Sequence, residues 1–310
     1  MVQIGFVGCH EISWHCLNKI CKLAKKTNDN ISIVFNLSEE ERKKHSAPTQ
    51  FETIQREIGF PLYNVKNVAE QENIDLLKKA NLDILFIIGW HRIVPQSVLD
   101  TAPIRLGIHS SLLPKDRGSS PLNWSLIKNY KIGGVTLFHL TEGVDSGGIV
   151  DQEEFSIANE DYIDNVYYKV AVTSLYLLEN NWDDIRNLKP KNNIQNEKDA
   201  TYNERRRPDD GLMNWSQKSS DCYNFVRALS RPYPGAFTHY NRKKVFIWKA
   251  KINEQAHTKP GEIIDTYERL VVSTGSKSLE ITELQIQDEP ICDAKLFIKS
   301  YDVKNGDFFT

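Results

Sequence analysis

Residues 83–89 read DILFIIG, an unbroken apolar run closed by glycine. Its length limits what it can become. Crossing a bilayer takes roughly 20 apolar residues, and this run falls far short. A continuous run of this size suits a parallel strand covered on both faces. It also has company. A short apolar strand over 2–7 leads into Gly8 and a helical pattern over 11–26, a second strand follows at 31–36, and helical patterns recur around 49–58 and 70–80. This alternation predicts an α/β domain, a sheet with helices on both sides whose ligands bind beyond the carboxyl ends of the strands. Gly8 and Gly89 mark two such ends. The first turn, GFVGCHEIS, lacks the G-x-G-x-x-G spacing, which argues against a nucleotide-cofactor dehydrogenase.

With 310 residues the chain has room for two domains. An amphipathic segment over 162–182 closes a first domain at 1–185. The following stretch, 186–204, is rich in Asn, Lys, Pro and Gln, poor in apolar residues, and is expected to be a linker. A second domain over 205–310 opens with a helical pattern at 223–229. Five short strands then follow: GAFTHY, KKVFIWKAKI, RLVVSTG, SLEITELQI and AKLFIKSY. Their regular spacing predicts a small barrel or sandwich, and their apolar and aromatic residues offer a face for a homodimer.

The net charge of −2 disfavours nucleic acid as the main partner. The five cysteines, Cys9, Cys16, Cys21, Cys222 and Cys292, contain no C-x-x-C pair and read as free thiols of a reducing compartment. Dispersed histidines and the absence of paired cysteines give no metal site. The opening apolar run has no basic residues ahead of it, so a cytoplasmic location away from membranes is expected.

Candidate chemistry is densest over 107–150, GIHSSLLPKDRGSSPLNWSLIKNYKIGGVTLFHLTEGVDSGGIV. His109 ends an apolar strand, and Asp145 sits in a glycine-flanked turn. Both are strand-end positions, where residues of neighbouring strands can meet. Acyl transfer needs a group that moves protons near neutrality and a donor for the developing oxyanion; an imidazole oriented by a carboxylate can serve both needs. A structural histidine bonded to backbone and an ordinary turn aspartate remain open on these residues alone.

This segment resembles the signature of the formyltetrahydrofolate-dependent formyltransferases, carried by His109, SLLPKDRG at 111–118, GGVT at 133–136 and Asp145. SPLNW at 120–124 is similar to the form found in nucleotide-sugar N-formyltransferases. RRRPDDGLMNW at 205–215 and VRALSRPYPGAFTHY at 226–240 are similar to the start of their C-terminal domain. The resemblance implies a Rossmann-like catalytic domain followed by a small open, OB-like β-barrel. It implies formyl transfer from N10-formyltetrahydrofolate, a reduced-folate co-substrate, to a nucleotide-linked amino sugar, without a metal. The alternatives are a methionyl-tRNA formyltransferase and a binding homologue without turnover.

On the same resemblance His109 and Asp145 are catalytic. The folate slot falls to 87–95 and the loop before Asp145, with Ile88, Trp90, His91, Arg92, Val94, Thr141 and Val144 as its residues. The backbones of Ile88, Trp90 and Arg92 are expected to pair with the pterin edge. Ser110, Lys115, Arg117 and Arg207 fall on the acceptor side, the cations toward a diphosphate; a brace of its own loop is an equal expectation for Arg117, and a solvated face for Arg207. One departure stands out. Gly107 occupies the position of the family's catalytic asparagine, and Ser110 or Ser111, a backbone N–H or a water is expected to supply the lost hydrogen bond.

Overall fold

The computed structural model describes residues 1–45, 47–255, 258–267 and 269–310. Strands β1 (Gln3–Val7), β2 (Asn30–Leu37), β3 (Leu62–Val65), β4 (Ile84–Ile87) and β5 (Ile104–His109) are parallel, in the order β3-β2-β1-β4-β5. The order reverses between β1 and β4. That is where an open α/β sheet leaves a crevice at its carboxyl edge. β6 (Arg117–Gly118) lies off this sheet, which β7 (Ile132–His139) and β8 (Ile149–Ser156) complete as antiparallel neighbours. All four residues of β4 are buried, as a strand covered on both faces requires.

Helices fill the connections: α1 (Glu11–Thr27), α2 (Glu39–Arg42), α3 (Glu52–Ile58), α4 (Gln71–Lys79), α5 (Gln96–Leu99), α6 (Pro121–Ile127), α7 (Ile163–Asn180) and α8 (Trp182–Arg186). α1 buries Cys16, Leu17, Ile20, Cys21 and Ala24, spaced as one face of a helix. Its end is set by Asn28 in the left-handed region (φ 56°), a conformation asparagine tolerates.

The chain forms two compact units. The first comprises Met1–Pro121, Ile132–Ser156 and Tyr167–Asn203; the second comprises Leu122–Lys131, Ile157–Val166 and Glu204–Thr310. The stretch expected to be a linker is therefore, up to Asn203, part of the first unit. Its last residues form β9 (Tyr202–Asn203), which pairs in parallel with β6. Its polar composition reflects its partners, which are backbone and charged groups rather than a core.

In the second unit, α9 (Ser219–Leu229) precedes an antiparallel sheet of β10 (Ala236–Tyr240), β11 (Lys243–Asn253), β12 (Ile263–Asp265), β13 (Leu270–Ser273), β14 (Ser278–Ile286) and the two-residue β15 (Cys292–Asp293). Its order is β10-β11-β14-β13-β12, with β15 beside β14. The sheet is curled and half-barrel-like, and β10 does not meet β12. Four expected strands are present. The fifth is a correction: AKLFIKSY is helix α10 (Ala294–Tyr301). Asp293 caps it by accepting the Leu296 N–H at 2.8 Å, and Ala294 and Phe297, three apart, turn inward.

Arg227 on α9, 1% exposed, ties the three segments of this unit together. Its guanidinium donates to the carbonyls of Ala158 (3.3 Å) and Asp161 (2.9 Å), to Asn224 Oδ1 (2.9 Å) and to Asn129 Oδ1 (3.4 Å). Asn123 adds a bond to the Ala228 carbonyl at 2.7 Å.

All five cysteines are free, four of them buried. Among the described residues no helix is long and apolar enough to cross a membrane.

Candidate functional site

β5 delivers His109 to the carboxyl edge of the sheet, where it pairs in register with Thr136 of β7. The Thr136 hydroxyl donates to the Ser111 carbonyl (2.6 Å) and accepts the Leu113 N–H (3.1 Å). The threonine of GGVT thus fixes the loop that follows the histidine. His109 is 8% exposed. Its Nε2 lies 2.9 Å from the Asp116 carbonyl, and its Nδ1 lies 3.5 Å from Asp145 Oδ2. Both ring nitrogens thus face oxygen atoms of the protein. The carboxylate also accepts the Gly118 N–H at 2.8 Å. Asp145 is itself left-handed (φ 49°). The turn can close this tightly because a Cβ at Gly147 would overlap the His139 carbonyl. The sequence placed these two residues at strand ends, and the fold brings them together.

Of the two places open to Arg117, the structure shows the brace. It is fully buried, and the protein occupies its guanidinium. It grips Glu197 with two bonds (2.9 and 2.7 Å), Gln195 Oε1 with two more (3.1 and 2.8 Å), and the Tyr202 hydroxyl (2.8 Å). The Glu197 carboxylate holds its pKa above the ordinary arginine value. No face is left for an acceptor phosphate, so Arg117 is a brace for its loop. The partners Gln195, Glu197, Thr201 and Tyr202 were missed in sequence. Their only signal was a run of polar residues in a segment too polar for a core.

At the β1/β4 reversal, Gly89 is left-handed (φ 62°), and its carbonyl accepts the Cys9 N–H at 3.2 Å. Ile88, expected to offer backbone to a pterin, is committed: its N–H goes to the Val7 carbonyl (3.0 Å), and its own carbonyl takes the Ser13 hydroxyl (2.6 Å). Trp90 is half-buried, with its indole N–H enclosed and unpartnered. Val94 packs on the core beside it. His91 is exposed and stacks on His45 at 4.4 Å; Arg92 is held by Glu41 at 2.6 Å. On the loop before Asp145, Thr141 and Val144 are exposed.

His10, unremarked in the sequence, is the buried centre of this edge. It caps α1 by accepting the Ile12 N–H on Nδ1 (3.3 Å), stacks on Tyr167 at 5.2 Å and meets His91 edge-on at 5.7 Å. The signal was a histidine just past the first strand's glycine. Burial pushes its pKa down from 6.5 to about 4. The unfolded chain therefore binds this proton between those values while the folded chain does not. Stability is complete above pH 6.5 and falls as pH drops toward 4, by about 3 kcal/mol from this group. His10→Asn, which keeps a capping acceptor, is expected to show a shallower pH dependence of its urea midpoint across that window. Parallel wild-type and variant profiles would refute this.

Gly107 is buried, and the space beside it is taken. An added Cβ would lie 2.8 Å from Leu140 Cδ2 and 3.2 Å from Phe138. An asparagine here requires Leu140 to shift. Of the proposed replacement donors, Ser111 is already committed to the Lys115 carbonyl at 2.6 Å, whereas Ser110 is half-buried. Lys115 is exposed in the loop after His109. Arg207 is exposed in the second unit, its backbone N–H donating to Asp210 (2.6 Å). Trp124 is half-buried in the second unit with the Arg206 guanidinium 5.2 Å over its ring. Among the described residues no group of His, Cys, Asp or Glu is arranged to hold a metal ion.

Comparison with known proteins adds a family dimension. The family model described as "Formyl transferase" matches residues 12–178, and that described as "Formyl transferase, C-terminal domain" matches 206–302. A curated relative, the bifunctional polymyxin resistance protein ArnA of Wigglesworthia glossinidia brevipalpis, is 35% identical over 283 residues, or 89% of this chain and 42% of that protein. The chain thus spans less than half the length of that relative. Among solved structures, HypX from Aquifex aeolicus in complex with tetrahydrofolic acid superposes with a TM-score of 0.66 at 18% identity, covering 100% of this chain and 50% of that one. An N-formyltransferase from Helicobacter canadensis, in complex with folinic acid and dTDP-3-aminofucose, superposes with a TM-score of 0.65 at 20% identity, covering 91% and 99%. At these identities the likeness to the solved structures is one of fold.

Proposed function

The chain belongs to the formyl transferase family, and from that membership we propose that it moves a formyl group from N10-formyltetrahydrofolate to the amine of a nucleotide-linked amino sugar. The observation that carries this reading is His109 Nδ1 at 3.5 Å from Asp145 Oδ2, on a crevice edge and inside the SLLPKDRG context. The sugar acceptor is supported by SPLNW, by the net charge of −2, and by the dTDP-3-aminofucose bound to the Helicobacter protein.

A flat heterocycle with a polar edge fits the loop after β4. The enclosed indole N–H of Trp90 lacks a partner, and the apolar Ile93 (83% exposed) and Val144 (49%) stand uncovered on the two flanking loops. When bound, the folate supplies the formyl group on N10. Holding both reactants on one edge removes much of the entropic cost of a bimolecular step. His109 then donates to the oxygen that gains charge as the neutral amine attacks. Asp145 keeps the ring oriented and accepts the amine proton, directly or through water. As the oxyanion collapses the bond to N10 breaks, and His109 moves a proton to that nitrogen so that tetrahydrofolate leaves. Ser110 is the side chain left to assist at the position Gly107 cannot serve. Lys115 offers the acceptor's diphosphate a point charge.

The test is formyl transfer to a panel of nucleotide-linked amino sugars, read by mass spectrometry. One sugar is expected to gain one formyl mass. Formylation of methionyl-tRNA instead, or tight binding of folate and sugar nucleotide without product, would overturn the proposal.

A further inference from the structure

Asp145 is held by more than its own turn. Its carbonyl and that of Gly147 both accept from Gln195 Nε2, at 2.8 and 2.6 Å. Gln195 is 5% exposed and lies 50 residues away in sequence. A glutamine amide can face either way, and here its orientation is dictated. Arg117 can only donate, and its Nε and Nη2 reach Gln195 Oε1. The amide NH2 is therefore forced toward the two carbonyls. Glu197 and Tyr202 lock the guanidinium in turn. The next residue, Gly118, gives its N–H to the Asp145 carboxylate. Gln195 thus grips Asp145 at its backbone, and Gly118 grips it at its side chain.

We propose that Gln195 is a positioning residue for Asp145, oriented by Arg117, and that the pair sets the Asp145–His109 geometry used in the reaction. This rests on the formyl-transfer reading of the same site. The Gln195 amide touches no reacting atom. It acts by fixing a left-handed turn that the β7–β8 ladder does not fix, because residues 140–148 lie between the two strands.

Gln195→Glu separates this role from simple bracing. The carboxylate still accepts from Arg117, so the brace persists, but it has no N–H for the Asp145 and Gly147 carbonyls and turns an anion toward them. Two readouts apply. In formyl transfer, kcat is expected to fall about tenfold or more, with KM for folate and sugar nucleotide within about twofold, since a misplaced group costs rate before binding. In the protein without substrates, hydrogen exchange of the Gly118 amide is expected to speed up about tenfold as its carboxylate acceptor moves.

Unchanged exchange in a folded variant overturns the proposal, as does unchanged kcat alongside faster exchange. Should Gln195→Glu fail to fold, Gln195→Met, which loses the Arg117 acceptor together with the amide N–H, still overturns the proposal if its Gly118 exchange is unchanged. A wild-type protein that transfers no formyl group sinks the reaction assignment, while the Gly118 exchange still decides whether Gln195 holds Asp145.

Discussion

Replacing His109 by alanine is expected to lower kcat for formyl transfer about a thousandfold, with KM for both substrates changed less than about threefold. The reason is positional. His109 is the group at the β5 terminus that can both donate to a developing oxyanion and exchange a proton with Asp145. Gly107 offers no side chain to share the first task. Where a neighbouring asparagine would leave partial oxyanion stabilisation behind, here the histidine is expected to carry more of it. Asp145→Asn keeps the shape and is expected to cost about a hundredfold, because the amide cannot accept the proton. Steady-state kinetics on purified variants, with circular dichroism to establish folding, decides the matter. A loss of less than tenfold for His109→Ala would mean that the oxyanion is held elsewhere.

The second large effect concerns stability. Arg227→Ala is expected to destabilise the second unit by about 4 kcal/mol. The change removes a buried cation, leaves the Ala158 and Asp161 carbonyls without their donor, and opens a cavity the length of the side chain. Burial already pushes the Arg227 pKa below the ordinary arginine value, so its carbonyl partners offset a real desolvation cost. Arg227→Lys, with one donor centre in place of three, is expected to recover roughly half. Urea unfolding followed by tryptophan fluorescence measures both. An alanine variant within about 1 kcal/mol of wild type would show that water replaces the guanidinium without loss.

The parts of this fold legible in sequence are those whose signal is local. DILFIIG could only be a covered strand, and β4 is fully buried. The nearness of His109 and Asp145 was legible because spacing and flanking motifs placed one at a strand end and the other in a glycine-flanked turn. Other features were hidden, most of them because they depended on distant partners. The 186–204 stretch looked like a linker because its residues are polar, yet Gln195 and Tyr202 spend that polarity on Arg117. Arg117 stayed open between phosphate ligand and loop brace for the complementary reason: an arginine in such a loop has the same appearance in sequence whether its partner is substrate or protein. AKLFIKSY alternates well enough for a strand, and only the Asp293 cap and the inward pair Ala294 and Phe297 select the helix. The Ile88 backbone gave no sequence signal at all, since a main-chain bond to Val7 is a property of register.

The three-part origin of the second unit has a consequence for synthesis. Asn129 leaves the ribosome 98 residues before its partner Arg227. At about 5–20 residues per second, the segments Leu122–Lys131 and Ile157–Val166 are translated several seconds ahead of α9 and the sheet they join. Leu122, Leu126 and Ile163 are apolar and end buried, so during that interval they have no native shelter. A nascent chain paused before α9 should be the form most readily captured by a holdase chaperone, and rare codons placed between 204 and 227 should reduce soluble yield more than the same codons placed after α10.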